Sequence, residues 1–470
     1  MAFSLVALPN EILLEIIHMI ANADLDNFTS TCKILRSLAA NTLRKHQERK
    51  RAYSKITYGD PSNTYTGAAT TWAHPTLMLR DLLDNDLFYY PKELFIHDPD
   101  YDYADWDHVG HVSAYFENPE ALARLSEVVK PLIRSFHYLD SDEDLRREIL
   151  QGDNGATIGL LLHLLQNLTA LMIFNYHEDS RGMGNITQVL DGLLSNTNRS
   201  NTVANVASAR PLSKLSQVSF THVQHGTSRS LFMWAPLFYL PSLRSVGAYF
   251  VRAKEDTWNY SGFRSDIEKL KFIDSDIDIK SLDTYLKDIK NLQHFQFHHN
   301  RRSRSFSLQL FVQKLAMYTS HSLRYLDIRG TSITDHPARS GDFFIGSLKA
   351  FQNLTTICLE SSMFIEPVDA KKNPVSNAYD AGEGRPCRLI DMLPKSSVVV
   401  RCYSRDSELI SDLAVAMLQD LPERRAELLP NLKRIAFLCG GGLGHMKGSV
   451  LAKACREIGV KLEGQKGALN

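Results

Sequence analysis

The sequence predicts a mixed α/β chain, in which a short helical segment precedes an irregular array of helix–strand units whose strands run parallel. Three observations predict it. Residues 8–20 carry an apolar stripe at helical spacing. A seven-residue pattern, x-L-x-x-φ-x-φ with φ apolar, recurs ten times in intact or degenerate form between residues 90 and 437. Stretches of helical periodicity separate several of its copies. The chain has 470 residues, beyond the size at which one compact core keeps growing, so two or more units or an elongated array are expected.

The first element is "LPNEILLEIIHMI" (8–20). Pro9 suits a helix start, because its fixed φ fits the first turn and its missing N–H would be unpaired there. On a helical wheel Ile12, Leu13, Ile16, Ile17, Met19 and Ile20 fill a stripe roughly 160° wide, with Glu11, Glu15 and His18 opposite. Asp24 or Asp26 can cap a short second helix bearing Leu25 and Phe28. Cys32, Leu35, Leu38 and Ala39 then mark another amphipathic helix. Three short helices in about forty residues bury too little apolar surface to stand alone. Either the rest of the chain or a partner must cover them.

Residues 8–39 resemble an F-box. Leu8-Pro9, Glu11-Ile12, the Asp24-Leu25 step and Cys32 occur in the family's order, and the last helix ends in "RSLA". Leu35 stands where many members have an aromatic. The resemblance implies that the segment docks on a Skp-type adaptor, and through it on a cullin, with Leu8, Pro9, Ile12, Ile16, Leu25 and Leu35 as anchors. The alternative is a cap that packs only on the chain's own core. The basic run "LRKHQERKR" (43–51) reads as the solvated end of a helix, since cations favour helix C-termini.

The repeated pattern follows. Its copies are "YPKELFI" (90–96), "NLTALMI" (167–173), "KLSQVSF" (214–220), "SLRSVGA" (242–248), "DIEKLKF" (266–272), "NLQHFQF" (291–297), "SLRYLDI" (322–328), "NLTTICL" (353–359), the degenerate "SSVVVRC" (396–402) and "NLKRIAF" (431–437). Their φ-x-φ ends are strand-like, with alternate residues pointing inward. Residues 307–321 and 341–353 read as helices between copies. Three residues beyond four of the strands stand Ser275, Asn300, Thr331 and Ser362, and an apolar residue follows two later in three cases (Ile277, Ile333, Phe364). A short polar side chain there can serve backbone groups buried in the turn.

The helix-then-strand unit resembles a leucine-rich repeat of irregular length. Together the two resemblances imply an F-box over 1–45, a linker or cap over 46–89, and an irregular solenoid over 90–470 with its strands on a concave face. A two-layer α/β domain with similar strands is the alternative. The polar stretches 176–185, 199–211 and 366–387 read as surface loops.

On the concave face the outward positions are Lys269 and Lys271, then His294, Gln296 and His298, then Tyr325, Asp327 and Arg329, then Thr356, Cys358 and Glu360. Strands about 4.8 Å apart would gather these into one patch able to bind a protein target, with Tyr325 and Arg329 the leading contacts because Tyr and Arg dominate binding hot spots. The long loops are the alternative target site.

Composition narrows the remaining classes. Apolar residues make up 44% and charged residues 23%, and the formal net charge is +0, so bulk charge argues for neither nucleic acid nor an anionic membrane. No apolar run approaches the roughly 20 residues of a membrane span. The opening "MAFSLVALPNEI" lacks the basic region and cleavage site of a secretion signal. Six scattered cysteines without a C-x-x-C read as reduced thiols of the cytosol or nucleus.

No catalytic, metal or cofactor constellation is expected. The glycines of 440–448 miss the phosphate-loop pattern because Lys447 precedes Gly448. "DPDYDYADWDH" (98–108) has Tyr103 and Val109 where a calcium loop needs Gly and Glu. The clusters His108/His111 and His294/His298/His299 lack a zinc frame, there is no G-x-S-x-G elbow, and "RRSRS" (301–305) lacks interleaved aromatics. The expectation is a non-enzymatic substrate-recognition subunit of an SCF-type cullin–RING ubiquitin ligase, with a repeat scaffold lacking any ligase role as the alternative.

Overall fold

A computed structural model describes residues 5–22, 24–59, 70–72, 74–97, 118–134, 142–151, 153–174, 212–221, 229–253, 265–300, 307–331, 344–367, 384–404, 413–439 and 450–466. The loops expected at 98–108, 176–185, 199–211, 301–305 and 440–448, and most of 366–387, lie outside the described residues. The chain divides into two compact units, 1–220 and 221–470. Both are α/β, with parallel strands.

The first unit opens with four helices, α1 (Asn10–Met19), α2 (Leu25–Ser30), α3 (Lys33–Leu38) and α4 (Ala40–Tyr53). They enclose a core of their own, built from Leu13, Ile17, Leu25, Leu35 and Ala39, with Phe28, Cys32, Leu38 and Leu43 packed against it. Leu25 and Leu35, expected as anchors for a partner, are 3% and 2% exposed. They hold the helices together from inside and present nothing to a partner.

α4 runs past the expected boundary at residue 45 and joins the helices to the strands that follow. Buried His46 places its Nδ1 3.0 Å from the Tyr90 hydroxyl, which donates to the Asn22 side-chain Oδ1 at 2.9 Å. The Lys50 ammonium donates to Asp26 at 2.7 Å. That bond holds the Asp26 carboxyl below its usual range, while burial lowers the His46 imidazole. Residues 46–89, expected as a linker or cap, contribute β1 (Lys55–Tyr58), β2 (Thr70–Trp72) and α5 (Pro75–Asp84). β1 lies parallel to β2 on one side and to β3 (Glu93–His97) on the other, and β3 pairs with β4 (Ala170–Phe174).

α5 has Pro75 at its first position and His74 as its N-cap, the His74 Nδ1 accepting from Thr76 N at 3.2 Å. Burial lowers His74 and also His163, on the helix Asn154–Leu164, to about 4. Both are therefore neutral in the fold at pH 7 and take a proton on unfolding once the pH falls below about 6.5. The unfolded state then binds more protons, and stability falls with the pH. The thermal midpoint of the first unit should hold between pH 8 and 7 and drop progressively from pH 6.5 to 4.5, as scanning calorimetry reads it. His74→Asn, which keeps a capping acceptor, should flatten part of that slope. An equal slope in the variant would refute the assignment.

In the second unit the strands Ser245–Tyr249 (β5), Lys269–Ile277 (β6), His294–Asn300 (β7), Tyr325–Thr331 (β8), Thr356–Glu360 (β9), Val399–Ser404 (β10), Arg434–Cys439 (β11) and Lys461–Lys466 (β12) pair in sequence order, all parallel. At every one of the ten copies of the sequence pattern a strand begins on the fourth residue. Inward residues form ladders across the sheet: Val246, Leu270, Phe295, Leu326, Ile357, Val400 and Ile435, all at most 1% exposed. Phe297 stacks on Phe311 of the helix Leu308–Thr319 at 4.5 Å between centroids. Ser275, Asn300 and Thr331 lie inside their strands and not in turns beyond them, but the Ser275 hydroxyl does serve the backbone, donating to Ile273 O at 2.9 Å and accepting from Val251 N at 3.3 Å. The Ser362 hydroxyl has no such partner.

The helix expected over 341–353 does not form in the described part, 344–353. Ile345, Leu348 and Phe351 are buried as its apolar face would have been, but Gly346 has φ +72°, which no right-handed helix accommodates. The apolar spacing mimics a helix that the backbone abandons. Among the described residues no helix is long and apolar enough to cross a membrane.

Candidate functional site

Two surfaces stand out, one in each unit. In the first, stepping 100° per residue, the stripe of α1 runs in the order Met19, Ile12, Ile16, Leu13, Ile17, with Leu8 and Ile20 flanking the helix. Burial rises along that order. Leu8, Met19 and Ile12 are 38%, 77% and 41% exposed, Ile16 and Ile20 are half-buried, and Leu13 and Ile17 are 1% exposed. The helical core therefore closes one half of the stripe and leaves the other half open. Leu5 and Ile34 are also exposed, so five of the eight large exposed apolar residues among the described residues fall within the first 34 positions. Pro9 is exposed with them at the N-cap of α1.

In the second unit, strand alternation turns a set of polar residues away from the core. Register puts Lys269, His294, Tyr325 and Thr356 in one row, and Lys271, Gln296, Asp327, Cys358 and Arg401 in the next. His298 and Arg329 are paired beyond them, as are Glu360 and Tyr403. All the expected target-binding residues thus share one side of the sheet.

They do not share accessibility. Asp327 is 1% exposed and Cys358 fully buried. Arg329 donates to both Asp327 oxygens at 2.9 Å and lies 3.8 Å over the Tyr403 ring. The Tyr325 hydroxyl donates to Asp327 at 3.3 Å and the Cys358 thiol approaches that hydroxyl at 3.7 Å. The His294 ring stacks on Tyr325 at 5.6 Å. Gln296 and His298 meet at 3.0 Å, while His298 Nε2 is 3.9 Å from Asp327, an ion-pair distance rather than a hydrogen bond. Asp327, Cys358, Tyr325 and Arg329 are thereby tied to one another, which corrects their reading as free contacts.

The electrostatics follow this packing. Burial alone would raise the Asp327 carboxyl, but His298 and the Arg329 fork outweigh it and hold it below the usual carboxylate range. Burial and the neighbouring Asp327 push up both the Tyr325 hydroxyl and the Cys358 thiol. Burial lowers His294, helped by Lys269. Glu360 accepts from Gly330 N at 2.8 Å. Glu463 sits between Lys461 at 2.7 Å and Arg434 at 3.5 Å, and the Lys461 bond first holds its carboxyl down.

Sequence reasoning missed Arg401 and Tyr403. Both lie on the strand of the degenerate copy 396–402 or just beyond it, and the alternation used for the other copies would have put them on the outward side. Among the described residues no group of three or more His, Cys, Asp and Glu side chains is placed to hold a metal ion. No protein-family model matches the chain, and no curated protein matches it either.

Proposed function

We propose that this chain is the substrate-recognition subunit of an SCF-type cullin–RING ubiquitin ligase. Its N-terminal helices act as the F-box that docks a Skp-type adaptor, and the strands of the second unit, read as irregular leucine-rich repeats, hold a protein target. The observation that carries this reading is the divided stripe of α1. A helix that buries Leu13 and Ile17 in its own core yet leaves Ile12 and Met19, with Leu8 just ahead of it, in water has apolar surface to offer a partner. The F-box-like order of residues 8–39 names the class of that partner.

The chain itself makes no bonds in this scheme. It raises the effective concentration of target lysines near the charged ubiquitin carrier, a contribution of position rather than of acid–base groups. It works in the cytosol or nucleus, with no metal, cofactor or nucleic acid. Co-expression of the tagged full chain with a Skp-type adaptor and a cullin tests the reading, and all three should elute together. Recovery of the adaptor without the cullin would favour a scaffold with no ligase role, and recovery of neither would overturn both.

A further inference from the structure

On the described strands β7 to β12 every outward carboxylate is already engaged, and on β6 Asp276 lies 3.8 Å from Arg252. Asp327 is held by Arg329, Glu463 by Lys461 and Arg434, and Glu360 by the Gly330 amide. Among the described residues, three cations on the same face have no carboxylate within ion-pair distance: Lys269, Lys271 and Arg401. Lys271 Nζ rests 5.1 Å over the Tyr249 ring. Arg401 is half-buried beside Cys358 on one strand and Ala436 on the other, and burial keeps the Cys358 thiol protonated and uncharged. A chain of zero net charge thus concentrates positive charge on one side of this sheet, where the only carboxylate in the register row of Arg401 among the described strands β9–β12 is Glu463, two strands away and already bound by Lys461.

We infer that this face binds an extended acidic segment of a partner protein, with carboxylates received by Arg401 at one end and by Lys271 and Lys269 at the other. The inference rests on the proposed reading of the sheet as the target-binding surface. Lys271 and Arg401 share one register row and are four strands apart, or about 19 Å at the usual strand spacing. An extended chain rises about 3.3 Å per residue, so the acidic groups should stand about six residues apart. An even separation also keeps both side chains on one side of the extended ligand. Between them the floor is Gln296, Cys358 and the neutralised Asp327–Arg329 pair, which calls for uncharged residues there. Arg401 is suited to a carboxylate because its planar fork can donate to both oxygens at once.

The test uses fluorescein-labelled octapeptides, with Glu in the first two and last two places and Ser, Gly or Ala between, titrated against the full chain by anisotropy. The Glu peptide should bind, and its affinity should fall at least tenfold between 50 and 300 mM salt. Lys in those four places should abolish binding, and closing the spacer to one residue should weaken it at least fivefold. R401A and K271A should each cost at least tenfold, R401K should recover only part of that loss, and K314A, on a helix, should change nothing. Equal binding of the Glu and Lys peptides, or R401A binding like the wild type, would overturn the inference. So would a phosphoserine version binding over a hundredfold tighter, or displacement by a single-stranded oligonucleotide. Adaptor capture measured on the same samples separates the two readings: its absence in the wild type would refute the ligase role whatever the peptides do, and its survival in R401A beside lost peptide binding would place the defect on this face.

Discussion

On the proposed function, Leu8→Asp together with Ile12→Asp should abolish capture of the Skp-type adaptor and leave the thermal midpoint of the chain unchanged to within a degree or two. Both side chains are about two-fifths exposed, so a carboxylate in either place meets water in the free chain and needs no burial. In the complex it would be buried unpaired. Anchors of such interfaces commonly contribute about 2 kcal/mol or more each, so losing two lowers affinity by roughly a thousandfold. Leu25→Ala and Leu35→Ala behave differently. Each opens a cavity inside the helical core and costs about 2–5 kcal/mol of stability, and capture falls only as far as the helices unfold. The contrast is read by adaptor pull-down beside circular-dichroism melting. Wild-type capture by the double Asp variant would mean that the open half of the stripe is not the docking face.

That contrast shows where the sequence was and was not legible. Periodicity located the stripe of α1 but could not say which half the following helices close, because that depends on how α2 and α3 turn back across it. Leu25 and Leu35 look no different in sequence from Leu8 and Ile12. The strands were legible because each of their core positions meets an identical position on its neighbours, which repeats the same apolar pair in every copy. β1 was not, since "KITY" carries no leading Leu and its pairing partners lie at residues 70 and 93. Alternation gave the side of the sheet correctly for Asp327 and Cys358 and misjudged their exposure, because long neighbours such as Arg329 and Tyr325 fold over them. Arg401 escaped because its copy of the pattern is degenerate, although among the described residues it is the one arginine on the face with no carboxylate within ion-pair distance.

Asp327→Ala carries the other large effect, on the second unit. The carboxylate is buried, and its two oxygens receive the Arg329 fork and the Tyr325 hydroxyl. Removing one partner of a buried pair strands the other charge, at a cost of about 3–5 kcal/mol. Arg329 remains 28% exposed, so water relieves part of that cost and the lower end, about 3 kcal/mol, is expected. For a unit of this size the midpoint should fall by roughly 6–12 °C. Asp327→Leu combined with Arg329→Met removes both charges and should recover most of the loss, as replacement of a whole buried pair often does. The pH dependence has a definite sign. The folded Asp327 carboxyl is held below the usual carboxylate range, so its contribution is present above about pH 4 and is lost as the pH falls through the lower folded value. Calorimetry of wild type and Asp327→Ala should show the gap in midpoint intact from pH 7 to 5 and closing below pH 4. A gap under one degree at pH 7, or one that widens in acid, would show that this pair does not hold the polar face together, and the neutral floor between Lys271 and Arg401 would lose its basis.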